Sequence, residues 1–181
     1  MPITPDRKDW TWVLERACLE CGFDASTLPP ERVAPLIRAN ALDWLPILAL
    51  PTEVLRQRVS DDRWSPLEYG CHVRDVFSLF DERLALMLTT DDPTFPNWDQ
   101  DRSAVDDRYN EQDPAVLATQ LGAAAEVLAT RFDSVRGAGW HRLGSRSDGA
   151  HFTVETFGRY LIHDPVHHLY DVSADLASLT S

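Results

Sequence analysis

The chain has 181 residues, 44% of them hydrophobic and 25% charged, and carries a formal net charge of −12. That length can bury a core without disulfides or a structural metal. The acidity argues against nucleic acid or an anionic membrane surface as partner, because phosphate contacts need a basic surface. No apolar run approaches the roughly 20 residues of a membrane span, and the opening "MPITPDRKDW" lacks the apolar stretch of a signal peptide, so a cytoplasmic protein is expected. Three cysteines, an odd number, do not make a disulfide framework.

In chain order, the first feature is "ACLECGFD", in which Cys18 and Cys21 form a C-x-x-C. It lies in an N-terminal extension, residues 1–30, of what reads as a single domain spanning 1–181. The spacing is half of a zinc ribbon, but no second C-x-x-C follows; a redox pair and a merely structural role are the other readings. After "LPP" comes an amphipathic segment from about Glu31 to Leu48, with Pro35 in its first turn and Pro46 distorting or ending it.

The clearest helix follows. Ser65-Pro66-Leu67-Glu68 supplies an N-cap, a proline at the first helical position and a capping-box glutamate, and apolar residues then recur at helical spacing through Met87. A third helix opens on Asp113-Pro114 and ends before Gly137; a fourth runs from near Thr153 to about Leu176. Strand signals are weak throughout. Four long helices in a domain of this size predict an all-α, four-helix bundle. The connection between its second and third helices is too long for a turn, and such a loop can line a pocket. Within it, Trp98 would serve as an aromatic wall and Asp99 as a polar contact to substrate; a solvated acidic loop that Trp98 anchors to the bundle is the plainer reading. Arg83, about three turns beyond His72, is a candidate for an anionic substrate group, though a surface partner such as Asp75 or Glu82 is the commoner fate.

The stretch "LIHDPVHHLYDV" concentrates three histidines and two aspartates. At about 100° per residue from Phe157, Asp164 falls at about −20° and His168 at about +20°, in the apolar stripe of Leu161 and Val172, whereas His163 and His167 fall at about −120° and −80°, on the flank. A buried carboxylate and imidazole four residues apart need a partner, and a divalent cation can satisfy both. His72, on the stripe of Tyr69, Val76 and Leu79, would add a third ligand from a facing helix. The expected site is therefore His72, Asp164 and His168, with His163 and His167 as the alternative face, since Pro165 can bend the helix. His141 and His151 are expected to be exposed.

At these residues the sequence resembles the DinB-like superfamily of four-helix metalloproteins, which includes thiol-dependent S-transferases and the mycothiol-dependent maleylpyruvate isomerase. "WSPLEYGCHVRDV" is similar to the second-helix motif, whose ligand histidine matches His72. "DPVHHLYDV" is similar to the last-helix motif, matching Asp164, His168 and Asp171; the first of these ligands is commonly His, sometimes Glu, and here is Asp. The resemblance implies a right-handed or up-down bundle, a divalent metal (zinc or nickel), a thiol such as mycothiol as co-substrate, and a homodimer. It implies metal-dependent transfer of a low-molecular-weight thiol onto a small electrophile. Metal-assisted hydrolysis is the related alternative, and a non-catalytic, stress-related metal-binding bundle the rival; a redox protein built on Cys18 and Cys21 is a third.

Overall fold

Ser65 caps the helix that carries His72: its Oγ accepts from the Glu68 N–H at 3.3 Å while the Glu68 carboxylate accepts from the Ser65 N–H at 2.8 Å. This capping box, with Pro66 pre-set at the first position, fixes where the helix begins and hence which way its stripe faces. Ser65→Ala is expected to lower the unfolding free energy by about 1 kcal/mol, read as a shift in the denaturant midpoint.

The computed structural model describes residues 9–179. The N-terminal residues 1–8, on which part of the signal-peptide reading rests, lie outside them. Among the described residues six α-helices run in the order α1 (Val33–Leu48), α2 (Thr52–Leu55), α3 (Pro66–Thr89), α4 (Gln100–Asp106), α5 (Pro114–Ser134) and α6 (Val154–Leu179). The long ones, α1, α3, α5 and α6, are the expected four. Pro46 sits in the last turn of α1 without breaking it. Asp113 starts α5 by accepting from the N–H groups of Ala115 and Val116. Among the described residues no helix is long and apolar enough to cross a membrane.

Around the bundle α1 packs chiefly on α5 and α6, and α3 chiefly on the same two helices. The first two long helices are thus diagonal rather than adjacent, and so are the last two. The core between them includes Trp44, Phe77, Leu121, Phe132, Phe157 and Leu161, all essentially inaccessible to solvent. Pro165 does not end α6, which continues unbroken past it; buried Asn40 of α1 donates from Nδ2 to the Pro165 carbonyl at 2.8 Å.

The chain also forms a small sheet that its sequence did not announce. β1 (Thr94–Phe95) pairs in parallel with β2 (Leu143–Arg146), which pairs antiparallel with β3 (His151–Thr153). It is a minor addition to the expected all-α bundle: strands of two to four residues are too short to show alternation, and β1 meets its partner only through the folded bundle. The sheet binds the long loop to the hairpin preceding α6. Phe95 and Phe152 stand on its inner side against Phe157, at 5.9 and 5.8 Å between ring centroids. Gly144 lies so close to α3 that a Cβ there would come within 2.7 Å of the Met87 side chain.

Candidate metal centre

His72 is held on α3 by aromatic walls. Its ring lies parallel to Trp98 (5.3 Å, 4°) and tilted against Trp64 at 5.1 Å, and the residue is fully buried. From α6 come Asp164 and His168, one helical turn apart. The His72 Nε2 lies 3.2 Å from the nearer Asp164 oxygen, and the His168 Nε2 lies 3.7 Å from the other. One donor atom from each of the three falls within 4.8 Å of the others. Donors about 2.1 Å from a shared zinc stand about 3.4 Å apart in a tetrahedron, and the two observed separations bracket that value.

The electrostatics favour a cation. Burial pushes the Asp164 carboxyl up, but the imidazoles of His72 and His168 outweigh it and hold the acid ionised, far below the usual carboxylate range. Burial pulls His168 down, and the charge of Asp164 with hydrogen bonds to Asp164 and Asp171 reverses this and pushes it up to about 9. The pocket thus draws positive charge onto the His168 ring, and a divalent ion can take the place of that proton. Two imidazoles and one carboxylate, of mixed borderline and hard character, fit zinc, nickel or a similar ion and leave coordination positions open. His72 Nδ1 is buried without a hydrogen-bond partner among the described residues, so the two indoles, rather than a second-side hydrogen bond, orient this ring.

His168 is braced from behind. Its Nδ1 lies 3.2 Å from Asp171, whose other oxygen accepts from Arg63 at 3.1 Å; Arg63 also reaches Asp175. A carboxylate behind a ligating histidine fixes the tautomer that points Nε2 forward. Asp171→Asn is expected to weaken metal binding by about 10- to 100-fold without loss of helicity, measured by chelator competition.

Asp164 and His168 border a cavity of about 780 Å³, also lined by Trp98, Asp99, Arg83, Arg146 and Tyr160, while His72 lies fully buried behind them. Trp98 is positioned by its indole N–H, which donates to Ser103 at 2.8 Å. Asp99 borders the cavity while its carboxylate caps α4 by accepting from the Arg102 N–H. Arg83 is not taken up by Asp75 or Glu82. It donates to the Pro96 carbonyl at 2.7 Å, stacks over Phe95 at 4.9 Å, and makes no carboxylate ion pair among the described residues. Its Nε is buried without a partner, and burial together with nearby Arg146 depresses the guanidinium to about 10, still charged at neutral pH.

Arg146 and Tyr160, joined at 3.0 Å, add a second cation and a phenol to the cavity wall that no local sequence signal marks. Arg146 sits on β2, and with the sheet illegible nothing marked it. His163 and His167 turn from the bundle centre toward the N-terminal segment, where they meet Cys21 and Cys18. Burial with the neighbouring His167 holds His163 down at about 4, and burial lowers His167 as well. Cys71 points away from the centre, toward the Tyr109 carbonyl. His141 and His151 are exposed.

A diagonal four-helix bundle that gathers imidazole and carboxylate donors from its second and last long helices defines a class of metal-binding helical proteins. The family model of the DinB superfamily matches residues 38–172. The chain belongs to that superfamily. Among solved structures it is similar to YfiT from Bacillus subtilis, described as "a probable metal-dependent hydrolase with an unusual four-helix bundle topology", with a TM-score of 0.65, 16% identity, and coverage of 98% of this chain and 93% of that one. No curated protein matches it.

Proposed function

We propose that the protein is a divalent-metal-dependent enzyme in which His72, Asp164 and His168 hold the ion and a low-molecular-weight thiol is added to a small, anionic electrophile. The observation that carries this reading is that two members of the donor triad, Asp164 and His168, share the wall of one cavity of about 780 Å³ with Arg83, a guanidinium that makes no carboxylate ion pair among the described residues, while His72 meets them from behind. That volume accommodates a thiol and an acceptor together. A bound divalent ion supplies Lewis acidity, lowering the pKa of a thiol or water in its open position. The remaining work falls to the chain. Trp98 covers His72 and keeps water from that side; Arg83 engages the acceptor's negative group; Asp171 keeps the His168 Nδ1 proton in place.

A second reading, metal-assisted hydrolysis with water as nucleophile, is favoured by the likeness to YfiT. Zinc- or nickel-loaded protein incubated with a panel of thiols and carboxylate-bearing electrophiles separates the two. Metal-dependent thiol consumption supports transfer; product release without thiol loss supports hydrolysis; neither reaction across the panel, in metal-loaded protein, contradicts both. Arg83→Gln is expected to raise KM for a carboxylate-bearing acceptor by about 10- to 100-fold, as for loss of a charge-assisted hydrogen bond, and to leave a neutral acceptor nearly unaffected.

A further inference from the structure

Four side chains that the bundle centre does not use come together on the other flank of α6. Cys18 and Cys21 sit on the N-terminal segment; His163 and His167 sit one turn apart on α6. The Cys18 sulfur lies 3.7 Å from His167 Nδ1 and the Cys21 sulfur 3.8 Å from His163 Nε2. One ligand atom from each of the four falls within 4.8 Å of all the others. In a tetrahedral zinc site with Zn–S near 2.3 Å and Zn–N near 2.1 Å, sulfur and nitrogen stand about 3.6 Å apart. The observed pairs are already at that separation.

We propose that Cys18, Cys21, His163 and His167 form a second, structural zinc site that staples the N-terminal segment to α6. Three further observations point the same way. The ligand spacing is C-x2-C followed by H-x3-H, with the histidines at i and i+4 on one helical face. The cysteine pair lies on a tight turn: the Gly22 N–H donates to the Cys18 carbonyl at 2.9 Å, the Cys18 N–H donates to the Phe23 carbonyl at 2.9 Å, and Gly22 has φ +73°, a conformation that suits glycine. Such a turn aims two sulfurs at one point. Behind the site, His167 Nε2 faces Glu20 at 3.5 Å and Asp171 at 3.7 Å, carboxylates that fix the tautomer presenting Nδ1 to the metal. Cys18, His163 and His167 are buried and Cys21 partly so; His163 and His167 also border the large cavity, but four protein ligands would fill a tetrahedral ion and leave it no position for substrate.

The charges balance. Two thiols lose their protons to solvent as the ion enters, and two thiolates with two neutral imidazoles around Zn²⁺ give a site of net charge zero. The arrangement also explains the crowding of α6. His163 and His167 meet the cysteines, Asp164 and His168 meet His72, all four border the one cavity, and Asp171 stands behind both histidine pairs, 3.2 Å from His168 Nδ1 and 3.7 Å from His167 Nε2. Trp10 packs against His163 and His167 at 5.5 and 5.3 Å, and Trp10 and Thr11 border the cavity. The staple thus holds one wall of the cavity in place. It stands independently of the reaction proposed above.

The test uses untagged, reduced, full-length protein with cobalt(II) substituted for zinc. A thiolate-to-cobalt charge-transfer band with the intense visible absorption of a tetrahedral ion is expected in the natural protein and in His72→Ala. The band should disappear in Cys21→Ser and weaken or shift in His163→Ala. Zinc analysis is expected to give two ions per chain, falling to one in Cys21→Ser and to one in His72→Ala. Circular dichroism of each variant confirms that the bundle persists. Should Cys21→Ser fail to fold, zinc-edge X-ray absorption on His72→Ala, expected to show two sulfur and two nitrogen neighbours, replaces it. No thiolate band in reduced protein, a band that survives Cys21→Ser, a first shell without sulfur, or a Cys18–Cys21 disulfide in protein purified with zinc would each overturn the assignment.

Discussion

His168→Ala, and separately His72→Ala, is expected to empty the bundle centre of its metal and to lower metal-dependent turnover by at least about a thousandfold, since a catalytic ion contributes several kcal/mol to the transition state and each 1.36 kcal/mol is tenfold. Each change leaves one imidazole and Asp164, too few donors to hold an ion in a cavity open to water. It also strips Asp164 of a partner: the carboxylate is held ionised only by the two rings, His72 at 3.2 Å and His168 at 3.7 Å. If His168 were simply a core histidine bonded to Asp171, alanine would cost stability and leave the metal content of this site unchanged. Metal analysis beside turnover and circular dichroism distinguishes these outcomes. Loss of metal and activity with helicity intact is expected; unchanged metal content contradicts the assignment.

Phe157→Ala is expected to destabilise the fold by about 3–5 kcal/mol, a large part of the roughly 5–15 kcal/mol that holds such a domain together. The ring is 1% exposed. It stacks on Phe80 of α3 at 4.6 Å and takes the edges of Phe95 and Phe152, so it joins α3, α6 and two strands at one point. Its removal leaves a cavity that these rings, anchored on separate elements, cannot close. Arg146 belongs to the same sheet, so the wall it forms should loosen and KM for an anionic acceptor should rise as well. Urea unfolding reads the first effect and steady-state kinetics the second. A shift of under about 1 kcal/mol would mean that the sheet is not held to the bundle through this ring.

Local chemistry in the sequence carries most of the bundle. Ser65, Pro66 and Glu68 announce the start of α3, and Asp113 with Pro114 the start of α5, because caps and prolines act within one turn. Helical periodicity places Asp164 and His168 on the face that meets His72, since α6 continues through Pro165 without a break. The sheet was not legible. β1 has two residues, and its partner lies fifty positions away in register Thr94 to Ser145, so no local pattern marks either. Arg146 was lost with it. The diagonal arrangement of α1 and α3 depends on packing among all four helices rather than on any one of them. The cysteine turn offered half of a metal motif, and a second C-x-x-C was the obvious complement to seek. The H-x3-H that faces it is plain in the sequence, but only the fold shows that a segment some 140 residues away closes on that side of α6.

The central claim is that His72, Asp164 and His168 share an ion. Crystals soaked in zinc and in nickel, with anomalous difference maps collected across each metal's absorption edge, test it most directly. A peak is expected among the three side chains, about 2.0–2.2 Å from an imidazole nitrogen of each histidine and from an Asp164 oxygen. Saturating metal with no peak there, and His72 still hydrogen-bonded to Asp164, would contradict it.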